Sequence, residues 1–449
     1  MMQLYDTLTQ KKTVFTPLSK TQVSLYVCGV TAYDHCHIGH ARAYIVFDSL
    51  KRQLLHQGYS VTHIQNFTDI DDKIIAKAQK QGQSIGDLTA YYIQSYFHDM
   101  QALNILPASV YPKATEHITI MQAAIQDLLT AGVAHQDSNN DIVFNINAYS
   151  AYGDLSKKIR SELESGHRGV HGDGQHFVLW KQAKSGEPSW PSPWGDGRPG
   201  WHSECSAMAR SYLGDTIDIH GGGEDLIFPH HENERAQAEC CSGQPFVRYW
   251  VHNGFVTTDH KKMSKSLNNA LSIREILKTV SPMALRFYLL RTHYRSQFQF
   301  SYAGLAASTK SLQKLFQLLD TDDTAPETDA QRADLAGYFQ AVIDYLDDDL
   351  NTVGAIGVIF ELAKYCQKTG VGRSALRRCL AHIGIIVPSD TKKLSPELAA
   401  LLAARETARA EKAFEKADLL RDELLHHGIR IKDTRTGTSW QWVDDYDKL

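Results

Sequence analysis

Ser24 to Val30 is a short apolar run of strand type, and Cys28 sits inside it. After a loop come His37-Ile38-Gly39-His40 and then Ala41 to Gln57, where apolar residues recur with helical spacing at Ile45, Leu50 and Leu54. Strand, loop and helix with small residues at the turn form the opening of a nucleotide-binding α/β unit. Val61 to Asn66, Thr216 to His220 (closed by Gly221-Gly222-Gly223) and Phe246 to Val251 supply further strand candidates. The expected fold class is therefore α/β. About Ser84 to Leu103 reads as helical.

From about Thr115 to Gly200 the texture changes. Ile118 to Ala131 has a helical pattern, Asp141 to Ile146 a strand pattern, and Arg160 to Gln175 is polar and glycine-containing like a loop. This stretch reads as an insertion between two halves of the α/β domain. Beyond Leu271 the chain is mostly helical, with linkers at Thr321 to Asp329 and Val387 to Lys393. Leu398 to His427 reads as one long helical stretch ending at Gly428. Ile429 to Trp442 follows as a small hairpin around Thr436-Gly437-Thr438.

A chain of 449 residues is too long for one small core and implies three or more domains. With 43% hydrophobic and 22% charged residues, the composition is that of a globular protein. No run of about 18 apolar residues offers a membrane span, and Met1 to Lys12 lacks the apolar core of a signal peptide. A cytoplasmic location with no membrane partner is expected. Seven cysteines without dense spacing predict reduced thiols, some of them available to a metal. A net charge of −4 neither supports nor excludes a nucleic-acid partner.

Three constellations carry chemistry. In Pro229-His230-His231-Glu232-Asn233-Glu234, His230 and Glu234 are four apart and project from one face of a helix for which Pro229 suits the first position. Together with Cys28 and Cys205 they offer an imidazole, a carboxylate and two thiolates, a set that completes a tetrahedral zinc shell. Read locally, the plainer reading of the same residues is a surface His/Glu pair and two buried free thiols. His37 and His40 flank Gly39 at a helix start, where unpaired N–H groups and the helix dipole favour a phosphate. Gly39 would let a flat adenine ring lie against the backbone. The alternative is two surface histidines near a turn. Lys262-Met263-Ser264-Lys265-Ser266 places two lysines beside hydroxyls in a polar loop, suited to clamping and releasing a polyphosphate; the plainer reading is a solvated basic loop.

The two nucleotide motifs, in this order and at opposite ends of an interrupted α/β domain, resemble the class I aminoacyl-tRNA synthetases. Within them the chain resembles the cysteinyl-tRNA synthetase family over essentially its whole length. The resemblance rests on Val27-Cys28-Gly29-Val30-Thr31 leading to the HIGH motif, Asn66 to Lys73, Pro188 to Trp194, Gly200 to Cys205, His220 to Gly223, Phe228 to Glu234 and the KMSKS loop. It implies a Rossmann-type parallel-sheet catalytic domain with an insertion, then a helical bundle and a small C-terminal α+β anticodon-binding region. The implied segments are 1–114 and 201–270 for the halves of the catalytic domain, 115–200 for the insertion, 271–320 for stem contact, 321–390 for the bundle and 391–449 for anticodon recognition.

The same resemblance implies an enzyme that joins cysteine to ATP and passes the cysteinyl group to the 3′-terminal ribose of tRNA(Cys). His37, His40, Lys262 and Lys265 would be catalytic, with Gly39, Gly222, Asp225 and Lys265 holding ATP and its Mg²⁺. Thr68, Trp201 and His220 would meet the amino acid, although Thr68 could instead cap a helix beginning at Asp69. Cys28, Cys205, His230 and Glu234 would hold one Zn²⁺, with the substrate thiolate entering as a fifth ligand or displacing Glu234. A bond that serine cannot make discriminates far better than shape, so no editing domain is expected. Arg286, Arg291 and Arg295, and later Lys364, Lys368, Arg373, Arg377 and Arg378, would supply phosphate contacts. Arg430, Lys432, Asp433, Arg435, Trp440 and Trp442 would meet unstacked anticodon bases. Asp71 and Asp72 read as helix N-terminal charges, and the remaining cysteines as packing residues. A monomer is expected. The rival readings are a paralogous cysteine ligase acting on an amino-sugar and a non-catalytic RNA-binding relative.

Overall fold

A computed structural model describes residues 1–158, 176–184, 186–258, 261–262, 271–321, 323–388, 396–411, 413–426, 429–434 and 437–442. It divides into two units, Met1–Ile386 and Val387–Leu449.

The first unit begins with an antiparallel ribbon of β1 (Gln3–Asp6) and β2 (Lys11–Val14). Then comes the expected opening: β3 (Gln22–Thr31), α1 (Ile38–His56) and β4 (Ser60–Thr68), with β3 and β4 parallel. The other two strands of this sheet are β9 (Ile217–Gly223) and β10 (Val247–Asn253), in the order β10-β9-β3-β4 and all parallel. Stretches such as Leu25–Cys28 and His63–Thr68 are buried without alternation, as in a sheet covered on both faces. From β3 the chain steps outward to β4 on one side, and β9 steps to β10 on the other. The order therefore reverses between β3 and β9, and the carboxyl ends of these strands open the crevice where such sheets take ligands.

Within β3 the register shifts between Val27 and Val30. A Cβ on Gly29 would stand 1.5 Å from the Asn66 carbonyl oxygen, so only glycine lets β3 and β4 approach there. The bulge re-aims Cys28, and the Gly29 N–H donates to Asn66 Oδ1.

Between the halves lie α2 (Asp72–Gln81), α3 (Ile85–Ala102), α4 (Ile118–Thr130) and an antiparallel sheet of β5 (Ala134–Gln136), β6 (Ile142–Asn145), β7 (His176–Gln182) and β8 (Gly197–Pro199). Phe144, Phe177 and Trp180 form the centre of their core. The polar stretch Arg160 to Gln175 lies outside the described residues. The chain re-enters the catalytic half through α5 (Trp201–Leu213), β9, α6 (Glu232–Ser242) and β10. A small sheet of β11 (Val256–Thr258), β12 (Lys261–Lys262) and β13 (Phe298–Phe300) follows, and then the helices α7 (Ile273–Leu277), α8 (Pro282–Leu290), α9 (Tyr302–Leu319), α10 (Asp329–Asp347), α11 (Thr352–Thr369) and α12 (Arg373–His382).

The second unit holds α13 (Pro396–Ala410), α14 (Phe414–His426) and the hairpin β14 (Ile429–Thr434) with β15 (Gly437–Trp442). What reads as one helix over Leu398 to His427 is thus two helices. The hairpin exists, but its pairing puts Gly437 opposite Thr434, so Gly437 and Thr438 belong to the strand.

Arg286 is a correction. It is not a phosphate contact but a fully buried pillar, ion-paired with Asp48 of α1 and donating to the carbonyls of Ile383 and Leu103 at 3.0 Å each. Burial alone would raise the Asp48 carboxyl, yet Arg286 and Arg52 hold it below the usual range. Breaking such a pair strands a charge in the core, so Arg286→Met should lower unfolding stability by about 3–5 kcal/mol in urea titrations. Adding Asp48→Leu should recover much of that loss. Other members of the proposed basic surface are also engaged within the chain. Arg295 Nε meets Asp349 Oδ2 at 2.8 Å, Arg373 meets Asp323 at 3.0 Å, Arg377 donates to the Leu319 carbonyl, and Arg378 lies over the Phe339 ring at 3.8 Å.

Candidate metal centre and nucleotide crevice

Cys28 on the β3 bulge, Cys205 on α5, and His230 and Glu234 at the start of α6 converge although their segments are far apart in sequence. One ligand atom from each lies within 4.8 Å of all the others, and all four residues are buried. Cys28 Sγ is 3.8 Å from Cys205 Sγ and 3.5 Å from Glu234 Oε1, and His230 Nε2 is 2.9 Å from the same Oε1. Two thiolates, one imidazole and one carboxylate at these separations could hold a metal ion, and the donor set suits a soft divalent ion.

The helix does not start where the sequence suggests. Pro229 lies in a wide irregular turn, Ile227–His231, with Phe228 at φ −136° and ψ 132°, and α6 begins only at Glu232. The turn still hands His230 to Glu234 one helical step away.

Behind the four stands a layer that no local pattern announces. His220 Nε2 holds Glu234 Oε2 at 2.8 Å, leaving Oε1 toward the thiols. His202 Nδ1 meets His230 Nδ1 at 3.0 Å, orienting the ring so that Nε2 faces the cluster. His231 Nε2 is 3.2 Å from Cys28 Sγ, and its Nδ1 leads to His252 Nε2 at 2.7 Å. A second set, Cys28, His220, His231 and Glu234, therefore also has ligand-like spacing. It has one thiol rather than two, and its His220 is already committed to Glu234, so the first set is the better cradle. Contacts that orient ligand rings usually matter tenfold to a hundredfold for metal affinity. His202→Gln should accordingly weaken metal binding by about 10–100-fold in chelator competition.

The charges fit this picture. Burial and the neighbouring Cys205 push the Cys28 thiol up, whereas hydrogen bonds from Cys28 and His230 bring Cys205 down despite its burial. Glu234, opposed by burial, is held low by His220 and His230, and His230 is raised by Glu234 and Cys205. Metal loading would expel the protons that Cys28 and His230 keep. Burial drives His231 and His202 down, so both stay neutral.

On the crevice side, Trp201 opens α5 and stacks on His230 with centroids 4.3 Å apart, yet it is 39% exposed. His220, by contrast, is fully buried. Thr68 ends β4 and donates to Glu204 Oε2 at 2.5 Å. It is not a helix cap: α2 begins at Asp72, and Asp71 caps it by accepting from the Lys73 N–H. Asp72 pairs with Lys181 and Arg198.

The HIGH turn is closed in a way the sequence reading did not foresee. His37 is the N-cap of α1; its Nδ1 accepts from the N–H groups of Gly39 and His40, and His40 Nδ1 accepts from the His37 N–H. The Ile38 N–H donates to the Leu271 carbonyl at 3.0 Å. These helix donors are thus satisfied and do not await a phosphate. Instead, each neutral ring, with Nδ1 accepting, carries its proton on Nε2, and the rings stack at 3.8 Å. Gly39 is required here because a Cβ would sit 2.9 Å from the His37 ring.

The KMSKS loop leaves from β12, which holds the backbone of Lys262, and Met263 to Ala270, including Lys265, lies outside the described residues. Its far end is anchored on HIGH: Leu271 bonds Ile38, Ser272 bridges His37, and the Ile273 N–H donates to the Cys36 carbonyl. Gly222 near the end of β9 and exposed Asp225 in the following turn reach the same edge of the sheet. In β14–β15, Arg430 pairs with Gln441, Asp433 with Thr438 and Trp440 with Ile431; their side chains lie outside the described part.

A parallel sheet interrupted by an insertion, with HIGH at its switch point and Leu271–Ile273 tied to it, is the catalytic fold of the class I aminoacyl-tRNA synthetases. The family described as tRNA synthetases class I (C) catalytic domain matches residues 14–310. A DALR domain matches 341–379, and a cysteinyl-tRNA ligase anticodon binding domain matches 391–440. Cysteine–tRNA ligases of Hydrogenovibrio crunogenus and Lachnoclostridium phytofermentans are 44% and 42% identical to the chain, each over 98% of it and 100% of their own length. That of Legionella pneumophila is 44% identical over 99% of the chain and 100% of its own. Among solved structures, Mycobacterium tuberculosis methionyl-tRNA synthetase in complex with methionyl-adenylate shares the fold, with a TM-score of 0.61 at 14% identity over 88% of this chain and 96% of that one. The chain belongs to the cysteine–tRNA ligase family of class I aminoacyl-tRNA synthetases.

Proposed function

We propose that the chain activates L-cysteine with ATP and transfers it to tRNA(Cys). A cysteine carboxylate oxygen attacks the α-phosphorus of ATP, pyrophosphate leaves, and the terminal ribose hydroxyl then displaces AMP. The carboxylate is already a nucleophile, so positioning and charge stabilisation carry the first step. His37 and His40 present Nε2–H donors to the phosphoryl group, while Lys262 and Lys265 neutralise the polyphosphate alongside Mg²⁺. Gly39, Gly222 and Asp225 hold the nucleoside. Trp201 covers the amino acid, Thr68 is oriented toward it by Glu204, and His220 acts through Glu234. Arg430, Asp433 and Trp440 meet the anticodon. The enzyme works as a cytoplasmic monomer.

The resident ion would be Zn²⁺, held by Cys28, Cys205, His230 and Glu234. When bound it supplies a soft acceptor for a thiolate, which the serine hydroxyl matches poorly. The observation that carries this reading is the convergence of those four ligand atoms within 4.8 Å beside the crevice. Family membership over the full length disfavours both the amino-sugar ligase and the non-catalytic relative.

Cysteine-dependent ATP–pyrophosphate exchange, followed by charging of tRNA(Cys), tests it. Exchange and charging are expected with cysteine, and serine should be rejected by about 10⁴-fold in kcat/KM. Equal use of serine, or exchange without charging, would contradict the assignment.

A further inference from the structure

The HIGH side of the crevice has a rim that the chemistry above leaves unused. Tyr33 lies between the end of β3 at Thr31 and His37. Helices α2 and α3 pack along an apolar seam of Ile74, Ala78 and Leu88, and Tyr33 and Tyr92 lean on that seam. Beside them Tyr91 is 54% exposed. The Tyr91 and Tyr92 rings are 5.1 Å apart, and His35 meets them edge-on at 5.8 Å and 5.2 Å. Two ammonium groups overhang these rings: Lys77 Nζ is 4.6 Å from the Tyr92 centroid and 5.9 Å from that of Tyr33, and Lys73 Nζ is 5.8 Å from Tyr33. Lys77 also meets Asp34 at 3.5 Å, whereas exposed Lys73 has no carboxylate partner among the described residues.

We infer that this rim is a stacking platform for the unpaired 3′ nucleotides of the tRNA, with Tyr91 as the ring face and Lys73 and Lys77 as phosphate contacts. The inference rests on the tRNA-ligase reading above. The acceptor hydroxyl must reach an aminoacyl phosphate formed beside His37 and His40, so the single strand that carries it crosses the edge of the sheet next to HIGH. Such a strand offers a π-face at every base and a charge at every phosphate. An exposed ring with cations close by matches both, without demanding a particular sequence. The seam beneath is already filled by Ile74, Ala78 and Leu88, so an exposed Tyr91 adds little to the core.

The full-length protein with Tyr91→Ala or Lys73→Gln tests this. Cysteine-dependent pyrophosphate exchange, which needs no tRNA, should stay within about twofold of the parent and reports that the variants fold. In charging assays the KM for tRNA(Cys) should rise roughly tenfold for Tyr91→Ala, the scale of one lost stacking contact, and Tyr91→Trp should restore it. Lys73→Gln should reduce the slope of log kcat/KM against log salt by about 0.7, one single-strand phosphate contact. On tRNA trimmed of its unpaired 3′ nucleotides, parent and variants should bind equally. Unchanged charging in both variants, or a binding defect that persists on the trimmed tRNA, would overturn the platform. Absence of exchange in the parent protein would instead strike the ligase reading itself.

Discussion

Cys205→Ser is expected to leave less than about a tenth of an equivalent of metal on the purified protein and to lower cysteine-dependent pyrophosphate exchange by at least about 10³-fold. The loss is large because Cys205 is one of only two thiols in the cluster, 3.8 Å from the other, and a hydroxyl is a poor ligand for the same ion. It should not be a folding defect, since serine is nearly isosteric and Cys205 already sits 3.5 Å from Asn66 Oδ1, which a hydroxyl can also approach. Metal analysis and thermal unfolding on the same preparation separate the two effects. A metal-free variant that still activates cysteine in preference to serine would show that the pocket reads the side chain by some other means.

The second large effect concerns His37. This side chain caps α1 through Nδ1, and the proposed function gives it a second job, donating from Nε2 to the phosphoryl group. His37→Ala should lose both: about 1 kcal/mol of stability from the cap and about 10²–10³-fold in kcat for exchange. His37→Asn separates them, because asparagine is a strong N-cap but has no donor at the Nε2 position. Stability near that of the parent with kcat still down by about 10²-fold is the expected outcome, with the KM for cysteine little changed because the candidate metal cluster is untouched. Full activity in His37→Asn would mean that the ring serves only the helix. Gly39→Ala should resemble His37→Ala, because the added methyl carbon would press into the capping ring at 2.9 Å.

How much of this could be read before folding varies with what each segment buries. Strands β3, β4, β9 and β10 were legible because a sheet covered on both faces asks for short apolar runs, and those runs are local. Helix α5 was not recognised, and α6 was anticipated three residues early. Both turn polar groups inward: His202, Ser203, Glu204 and Ser206 on one, Glu232, Asn233, Glu234 and Gln237 on the other, all buried. A site that needs ligands and their hydrogen-bond partners in the interior erases the apolar stripe by which a helix is normally recognised. The break between α13 and α14 was missed for the opposite reason. Ala410-Glu411-Lys412-Ala413 contains no glycine or proline, so nothing local marks the boundary between two helices that bury Ala408 on one and Ala417 and Leu424 on the other.

Residue types and their order in the chain were enough to establish the α/β opening, the two nucleotide motifs, the four candidate ligands and, through resemblance, the family. They could not say that Arg286 is a buried counterion rather than a surface cation. Nor could they reveal that the HIGH histidines close their own helix, or that His202, His220, His231 and His252 stand behind the four candidate ligands. Those facts depend on which groups meet across hundreds of residues of chain. A hydrogen bond or ion pair between distant segments leaves no periodicity in either one, so it exists only once the sheet and its helices have packed.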